Sequence, residues 1–180
     1  LADAREFPHE IWARCLRRGA LRRRFNDQTV VNRPALREAL RDYLEVNRGV
    51  RAETDQILIL PTAQAALTLV AATTIVAGDV VWTEDPGYPG AAAAFRAAGA
   101  EVLGIRLDEH GMARTSERRA PKLIFTTPSH QHPTGRVMPV ARRTELLAAA
   151  EPGKSWIVED DYDGEFHYDS RPMPALQGLD

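Results

Sequence analysis

Hydrophobic and polar residues along the chain follow two different spacings, which predict helices in some stretches and strands in others. Helical periodicity covers 9–24 and 34–48, and the second stretch opens with Pro34, a residue favoured in the first turn of a helix. Short apolar runs predict strands at 57–60, 80–84, 101–107, 122–127 and 155–160, with further helices at 62–77, 88–99 and 139–150. This alternation predicts an α/β fold: a doubly wound, mostly parallel sheet with helices on both faces.

Residues 1–50 differ from the rest of the chain because they contain helical patterns and no predicted strand. We therefore predict an N-terminal helical segment over 1–50, packed beside a partial α/β domain over 51–180. The chain starts with Leu1 and stops directly after an "ALQGLD" stretch, so we interpret it as part of a longer protein.

The composition is typical of a globular protein, with 180 residues, 44% hydrophobic content and a formal net charge of −2. The single Cys15 excludes an internal disulfide. The absence of a long apolar run and of a leader-like start predicts a cytoplasmic protein without a membrane span. The six arginines within 14–24 are explained either by a solvated basic helix face or by an anionic partner.

Ligands of doubly wound sheets bind beyond the carboxyl ends of the strands, which directs attention to four loops. These loops are 61–64, 84–90, 127–135 and 159–162. In the first loop, Thr62 can cap the following helix, and the backbone amides of Ala63 and Gln64 would then face a phosphate. An ordinary strand-to-helix turn explains the same residues without a ligand.

The loops at 84–90 and 127–135 carry aromatic and imidazole side chains. The stretch "EDPGYPG" predicts a rigid turn in which Tyr88 either stacks on a flat ligand or packs over its own loop. In "TTPSHQHPTG", His130 and His132 alternate on a segment that we predict to be extended, so their rings should point apart. With no third ligand at suitable spacing, this pair argues against a zinc site.

The stretch "VEDDYDGEF" at 158–166 places carboxylates and a tyrosine directly after a predicted buried strand. Because removing a carboxylate from water costs free energy, we expect Asp160 to have a positively charged partner, such as a protonated ring nitrogen. Tyr162 could then hydrogen-bond a phenolic oxygen on the same ring. A carboxylate for a ring nitrogen, an aromatic face and a helix start for a phosphate together suggest a pocket for pyridoxal phosphate. An acidic metal site at Asp160 and Asp161 is a weaker alternative, because the two side chains alternate along a strand.

Three stretches closely resemble the aminotransferase-like domain of MocR-type transcriptional regulators, a GntR subfamily within the fold type I pyridoxal-phosphate proteins. They are "EDPGYPG", "TPSHQHPTG" and "VEDDYDGEFHYDSRPMPALQGLD". The resemblance implies that Asp160 pairs with the pyridine nitrogen, Tyr162 contacts the ring oxygen and Tyr88 stacks on the ring. It also implies that Ala63 and Gln64 lie near the phosphate. His132 stands where aminotransferases have the asparagine of an Asn-Pro-Thr-Gly turn, which favours a regulator over a metabolic enzyme.

Two departures from the family pattern bear on function. Pro61 and Thr62 replace the usual Ser-Gly pair, and because proline has no N–H, we expect a weaker phosphate site. The Schiff-base lysine of the family would lie beyond Asp180, and neither Lys122 nor Lys154 is placed to replace it. We therefore expect the isolated chain to be inactive as an aminotransferase.

Three functional hypotheses follow from these residues and from the resemblance. The first is a partial pyridoxal-phosphate-binding domain that senses a small amino-acid-like effector in a MocR-type regulator. The second is a fragment of an active aminotransferase, and the third is a remnant that binds nothing because half a sheet leaves an apolar face open. The resemblance implies a homodimer for the full-length protein and DNA binding only through a domain outside this chain.

Overall fold

The structure is a computed structural model that describes residues 4–22, 34–113, 119–150, 155–166 and 173–180. The chain divides into two compact units, Leu1–Leu36 and Arg37–Asp180. The first unit contains a 3-10 turn at Ala4–Glu6 and helix α1 (His9–Arg22), both within the stretch predicted to be helical. At the start of α1, the Phe7 ring packs edge-on against Trp12, with the ring centroids 6.1 Å apart.

The second unit is built on a five-stranded sheet with the order β3-β2-β1-β4-β5. The strands are β1 (Val80–Asp85), β2 (Glu101–Asp108), β3 (Gly111–Met112), β4 (Leu123–Thr126) and β5 (Trp156–Glu159). All neighbouring pairs are parallel except β2 and β3. Because Thr83 pairs with Phe125 and Phe125 pairs with Val158, the carboxyl ends of β1, β4 and β5 reach the same edge of the sheet.

Helices cover both faces of this sheet, as predicted. They are α3 (Ala63–Thr74), α4 (Pro89–Ala97) and α5 (Val140–Ala149). The chain also forms α2 (Pro34–Arg48) and 3-10 turns at Thr54–Gln56 and Leu176–Gly178. Leu67 of α3 and Phe95 of α4 belong to one buried cluster, and Leu146 of α5 belongs to the other. Along β4, Leu123 and Phe125 enter the first cluster while Ile124 enters the second, since alternate strand residues point to opposite faces. The prediction of a doubly wound α/β fold is therefore confirmed.

The observed elements depart most clearly from the predicted ones at three places. The apolar run at 57–60 forms no strand, and Leu58 is exposed, because a strand requires a neighbour and the sheet has none for this segment. Helix α3 ends at Thr74 rather than at 77, because the backbone of Ile75, the residue that follows the helix, is extended. The short antiparallel strand β3 was not predicted, since two residues carry no detectable period.

Strand β5 forms one edge of the sheet, and apolar residues beside it line a cavity of about 770 Å³. Leu44, Leu147, Ile157 and Leu176 contribute to its wall, and Trp156 on the edge strand is exposed. Within the described residues, no helix is both long enough and apolar enough to cross a bilayer.

Candidate ligand site at the carboxyl edge of the sheet

The loops that follow β1, β4 and β5 meet at the carboxyl edge of the sheet. The backbone N–H of Asp160 donates to the carbonyl oxygen of Thr126 at 3.0 Å, which joins the ends of β5 and β4. The imidazole of His132 packs edge-on against two phenol rings, with its centroid 5.8 Å from that of Tyr88 and 6.2 Å from that of Tyr162. The structure thus gathers three aromatic residues that lie far apart in the sequence.

Tyr88 is held over the turn that starts α4. A Cβ atom added at Gly90 would lie only 2.5–2.6 Å from ring atoms of Tyr88, so the close approach of this ring requires glycine. The side-chain amide of Gln64 donates to the carbonyl oxygen of Gly90 at 3.2 Å. This hydrogen bond ties the first turn of α3 to the loop that carries Tyr88.

The start of α3 has the cap that the sequence predicts. The Thr62 hydroxyl accepts a hydrogen bond from the backbone N–H of Ala65 at 3.0 Å. Within the described residues, the backbone N–H groups of Ala63 and Gln64 donate to no protein acceptor. These two donors at the positive end of the helix remain available to an anion.

The neighbouring acids Asp160 and Asp161 have different environments. Asp161 pairs with the buried guanidinium of Arg48 at 2.8 Å. Asp160 is half-buried, and no side-chain donor among the described residues reaches its carboxylate. Burial and then the negative charge of Asp161 raise the pKa of Asp160, and the nearby His132 opposes this rise. Asp160 is therefore the acid that has room for a cationic ligand.

Tyr162 follows these acids on the exposed side of the site, and 51% of its surface is accessible. Partial burial raises the pKa of its hydroxyl, and Asp163, Asp160 and Glu84 add to the rise. The hydroxyl therefore remains protonated and able to donate a hydrogen bond.

The expectation that His130 and His132 point apart is wrong. Both rings lie against Tyr162, because 127–135 forms a turn and not an extended strand. Two hydrogen bonds shape this turn: His132 N–H donates to the Thr127 hydroxyl at 2.9 Å, and Gly135 N–H donates to the Gln131 carbonyl oxygen at 2.7 Å.

A buried carboxylate beneath the site was missed by the sequence analysis. Glu84 is only 4% exposed, and it accepts hydrogen bonds from the hydroxyls of Thr126 and Thr127 at 2.6 and 2.7 Å. Gln131 donates to Glu84 at 3.1 Å and to the carbonyl oxygens of Pro86 and His132. The signal was present in the sequence, since an acid ends an apolar strand and a Thr-Thr pair ends the neighbouring one.

We expect Gln131→Glu to destabilise the chain, because it places a second carboxylate against buried Glu84 and removes the amide donor. The loss should be about 2 kcal/mol in the free energy of unfolding, measured by urea denaturation. Gln56→Glu is the matched control, since Gln56 is exposed and its side-chain oxygen accepts from the Glu53 N–H, a contact that glutamate keeps, so its change should cost less than about 1 kcal/mol. Equal losses in the two variants would contradict a structural role for the Glu84 network.

Lys122 lies at the amino ends of the strands, whereas Asp160 lies at their carboxyl ends. Its N–H donates to Val80 and its carbonyl oxygen accepts from Trp156, which are the first residues of β1 and β5. Since parallel strands place their amino ends together, Lys122 is a full strand length from the site. Lys154 lies outside the described residues.

The sequence matches the family described as aminotransferase class I and II over residues 2–178. It is 38% identical over 185 residues to the probable rhizopine catabolism regulatory protein MocR of Rhizobium meliloti, covering 99% of this chain and 37% of that protein. It is 37% identical over 183 residues to the HTH-type transcriptional regulator TauR of Rhodobacter capsulatus, covering 99% of this chain and 38% of that protein.

A solved structure extends the comparison to the fold. LysN, an α-aminoadipate aminotransferase from Thermus thermophilus complexed with N-(5'-phosphopyridoxyl)-L-leucine, is 28% identical to this chain with a TM-score of 0.80. The match covers 99% of this chain and 46% of that one, so this chain spans less than half of the relatives it resembles. The family match nonetheless includes both the sheet and every loop of the site. The chain therefore belongs to the aminotransferase class I and II family.

Proposed function

We propose that this chain binds pyridoxal phosphate at the carboxyl edge of the sheet. The observation that carries the proposal is the half-buried carboxylate of Asp160, which has no side-chain donor within the described residues and lies at the strand end beside an aromatic cluster. A cationic ring nitrogen would supply the missing partner and return the pKa of Asp160 toward its ordinary range. The phosphopyridoxyl compound bound to LysN supports this choice of cofactor.

The proposed roles of the site residues follow from their positions. Asp160 would hold the pyridinium nitrogen, and Tyr162 would donate to the phenolic oxygen. Tyr88 and His132 would border the ring, since their own rings lie 5.8 Å apart in the loops that follow β1 and β4 at the carboxyl edge of the sheet. The two free amides after the Thr62 cap, those of Ala63 and Gln64, would hold the phosphate, and Pro61 adds no donor there.

When bound, pyridoxal phosphate supplies an electron sink that depends on a protonated ring nitrogen. The contribution of Asp160 is to hold that proton, because an ionised carboxylate stabilises the adjacent cation. Tyr162 would donate a hydrogen bond to the ring oxygen, and the raised pKa of its hydroxyl keeps the donated proton in place.

For the full-length protein we propose a sensing role, in which a small amino-acid-like effector binds beside the cofactor. The regulators named among the relatives support this role, and so does His132 at the position where aminotransferases have asparagine. The proposal includes a homodimer in the cytoplasm and DNA binding through a separate domain. A fragment of an active aminotransferase is the second candidate, and a remnant without a ligand is the third.

Pyridoxamine phosphate is the best probe of this site, because it lacks the aldehyde through which pyridoxal phosphate attaches to lysine side chains. We expect it to bind the 180-residue chain saturably, with one ligand per chain, as followed by ligand fluorescence. Tyr88→Ala should weaken binding about tenfold through loss of ring contact. Tyr43→Ala, the same change on α2, should alter the affinity less than about twofold.

Pyridoxamine without the phosphate tests the role of the α3 amides. It should bind at least about tenfold more weakly than the phosphorylated ligand, because charge-assisted hydrogen bonds at a helix start are lost. Absence of saturable binding by the unmodified chain would leave the remnant hypothesis in place. Equal affinity for the two ligands would refute the assignment of the phosphate position.

A further inference from the structure

The ring of Tyr162 depends on two histidines for its orientation. The His130 ring stacks on it, with centroids 6.0 Å apart and planes inclined by 15°, and the His132 ring meets it edge-on. These separations are typical of favourable aromatic pairs. Because about half of the Tyr162 surface is exposed, removing either histidine ring would free the Tyr162 side chain to change rotamer.

His130 is itself fixed on both edges of its ring. Its Nδ1 atom forms a hydrogen bond with the carboxylate of Asp163. At the other edge, a Cβ atom added to Gly135 would lie 2.9 Å from Nε2, so the backbone of the turn lies directly against the imidazole. Gly135 has a φ of +72°, a conformation that favours glycine and keeps this space open.

Asp163 immediately follows Tyr162, so the contacts form a closed circuit across two loops. The chain passes from Tyr162 to Asp163, the Asp163 carboxylate holds His130, and the His130 ring stacks on Tyr162. The circuit joins the turn after β4 to the segment after β5. Hydrogen bonds within cofactor sites commonly act in this indirect way, by fixing the groups that touch the ligand.

We propose that His130 and Asp163 are positioning residues that hold the Tyr162 ring in the orientation from which its hydroxyl binds the phenolic oxygen of the cofactor. This inference rests on the proposed function only for the identity of the ligand. The orientation of Tyr162 in the ligand-free chain is a separate property and can be tested without any ligand.

The first experiment measures the Tyr162 ring directly. The chain has four tyrosines, so labelling with 3-fluorotyrosine gives a simple fluorine NMR spectrum in which Tyr162→Phe identifies the resonance of interest. In His130→Leu and in Asp163→Ala, this resonance should move most of the way to its position in the unfolded chain, while that of Tyr88 stays in place. An unchanged Tyr162 resonance in both variants would refute the proposal.

The second experiment uses pyridoxamine phosphate binding in a double-mutant cycle. His130→Leu should weaken binding about fivefold in the unmodified chain and have no further effect in the Tyr162→Phe background, because the two residues act through one contact. An equal loss in both backgrounds would show a general structural role and overturn the inference. His110→Leu is the control, since His110 is an exposed histidine in the β2–β3 turn and its loss should not change the affinity.

The two experiments separate failure of the inference from failure of the proposed function. If the unmodified chain does not bind pyridoxamine phosphate, the ligand assignment is wrong, and the fluorine spectra still decide whether His130 and Asp163 fix the tyrosine. If His130→Leu does not fold, Asp163→Ala carries both measurements, since it removes the carboxylate that holds His130 and leaves the imidazole ring in the chain.

Discussion

Asp160→Asn is expected to weaken pyridoxamine phosphate binding about tenfold to hundredfold, since a hydrogen bond between charged groups contributes about 1.5–3 kcal/mol. The same change should make the ligand-free chain more stable at neutral pH. The opposite signs have one cause: the Asp160 carboxylate is half-buried without a side-chain donor among the described residues. The measurements are a binding titration and a urea denaturation series on one pair of proteins.

The pH dependence of this stability effect follows from the direction of the shift. Burial raises the pKa of Asp160, so the folded chain binds a proton at a pH where the unfolded chain has released it. The corresponding stability is present below the ordinary carboxyl pKa and is lost as the pH rises through the raised value. Asp160→Asn should therefore flatten the decline in stability across this acidic range and leave the rest of the curve unchanged.

Asp161→Asn is the matched control, and it should destabilise the chain while leaving the ligand affinity nearly unchanged. The Asp161 carboxylate lies 2.8 Å from the buried guanidinium of Arg48, so its loss should lower the free energy of unfolding by about 1–3 kcal/mol. Its effect on ligand affinity should stay within about threefold. Equal losses of affinity in the two variants, or a larger one at Asp161, would show that the wrong acid has been assigned to the ring nitrogen.

The largest loss of stability is expected for Arg143→Met. Arg143 is fully buried and donates to the carbonyl oxygens of Met138 and Pro174 and to the Glu159 carboxylate at 3.2 Å. Methionine fills much of the volume of Arg143 but removes its charge. In the described part of the chain, Glu159 then stays buried with only the Leu176 N–H and the more distant Arg48 as partners. Breaking a buried ion pair in this way costs about 3–5 kcal/mol in the free energy of unfolding, measured by denaturation followed by tryptophan fluorescence.

A second substitution tests whether charge is the cause. Burial already raises the pKa of Glu159, and the Leu176 N–H, Arg143 and Arg48 oppose the rise. Glu159→Gln in the Arg143→Met background should therefore recover part of the lost stability, because it removes the uncompensated charge. If Glu159→Gln recovers no stability, lost packing and not the unpaired charge is the cause of the destabilisation.

Arg142→Met is the control for Arg143→Met, because it changes the neighbouring arginine on the same helix. Arg142 pairs with Asp108 at 2.7 Å in a partly exposed position. Pairs of this kind contribute about 1 kcal/mol or less, so the control should lose much less stability than Arg143→Met.

Local patterns predicted most of the secondary structure because they depend on neighbouring residues. Helix α2 begins at Pro34 and ends at Arg48, where proline fits the first turn and Gly49, at a φ of +67°, ends the helix. The prediction failed at 57–60, where an apolar run has the composition of a strand but no strand to pair with. Strand propensity alone does not supply a partner.

The sequence by itself determined the α/β class, the order of the main elements and the loops that carry acidic and aromatic residues. Only the tertiary structure decided which acid is paired and which polar residues are buried. It places Arg48 against Asp161, Gln131 against Glu84 and His130 against Asp163. The physical reason is that burial and hydrogen bonding depend on residues brought together by strand order, whereas periodicity and turn chemistry act between neighbours along the chain.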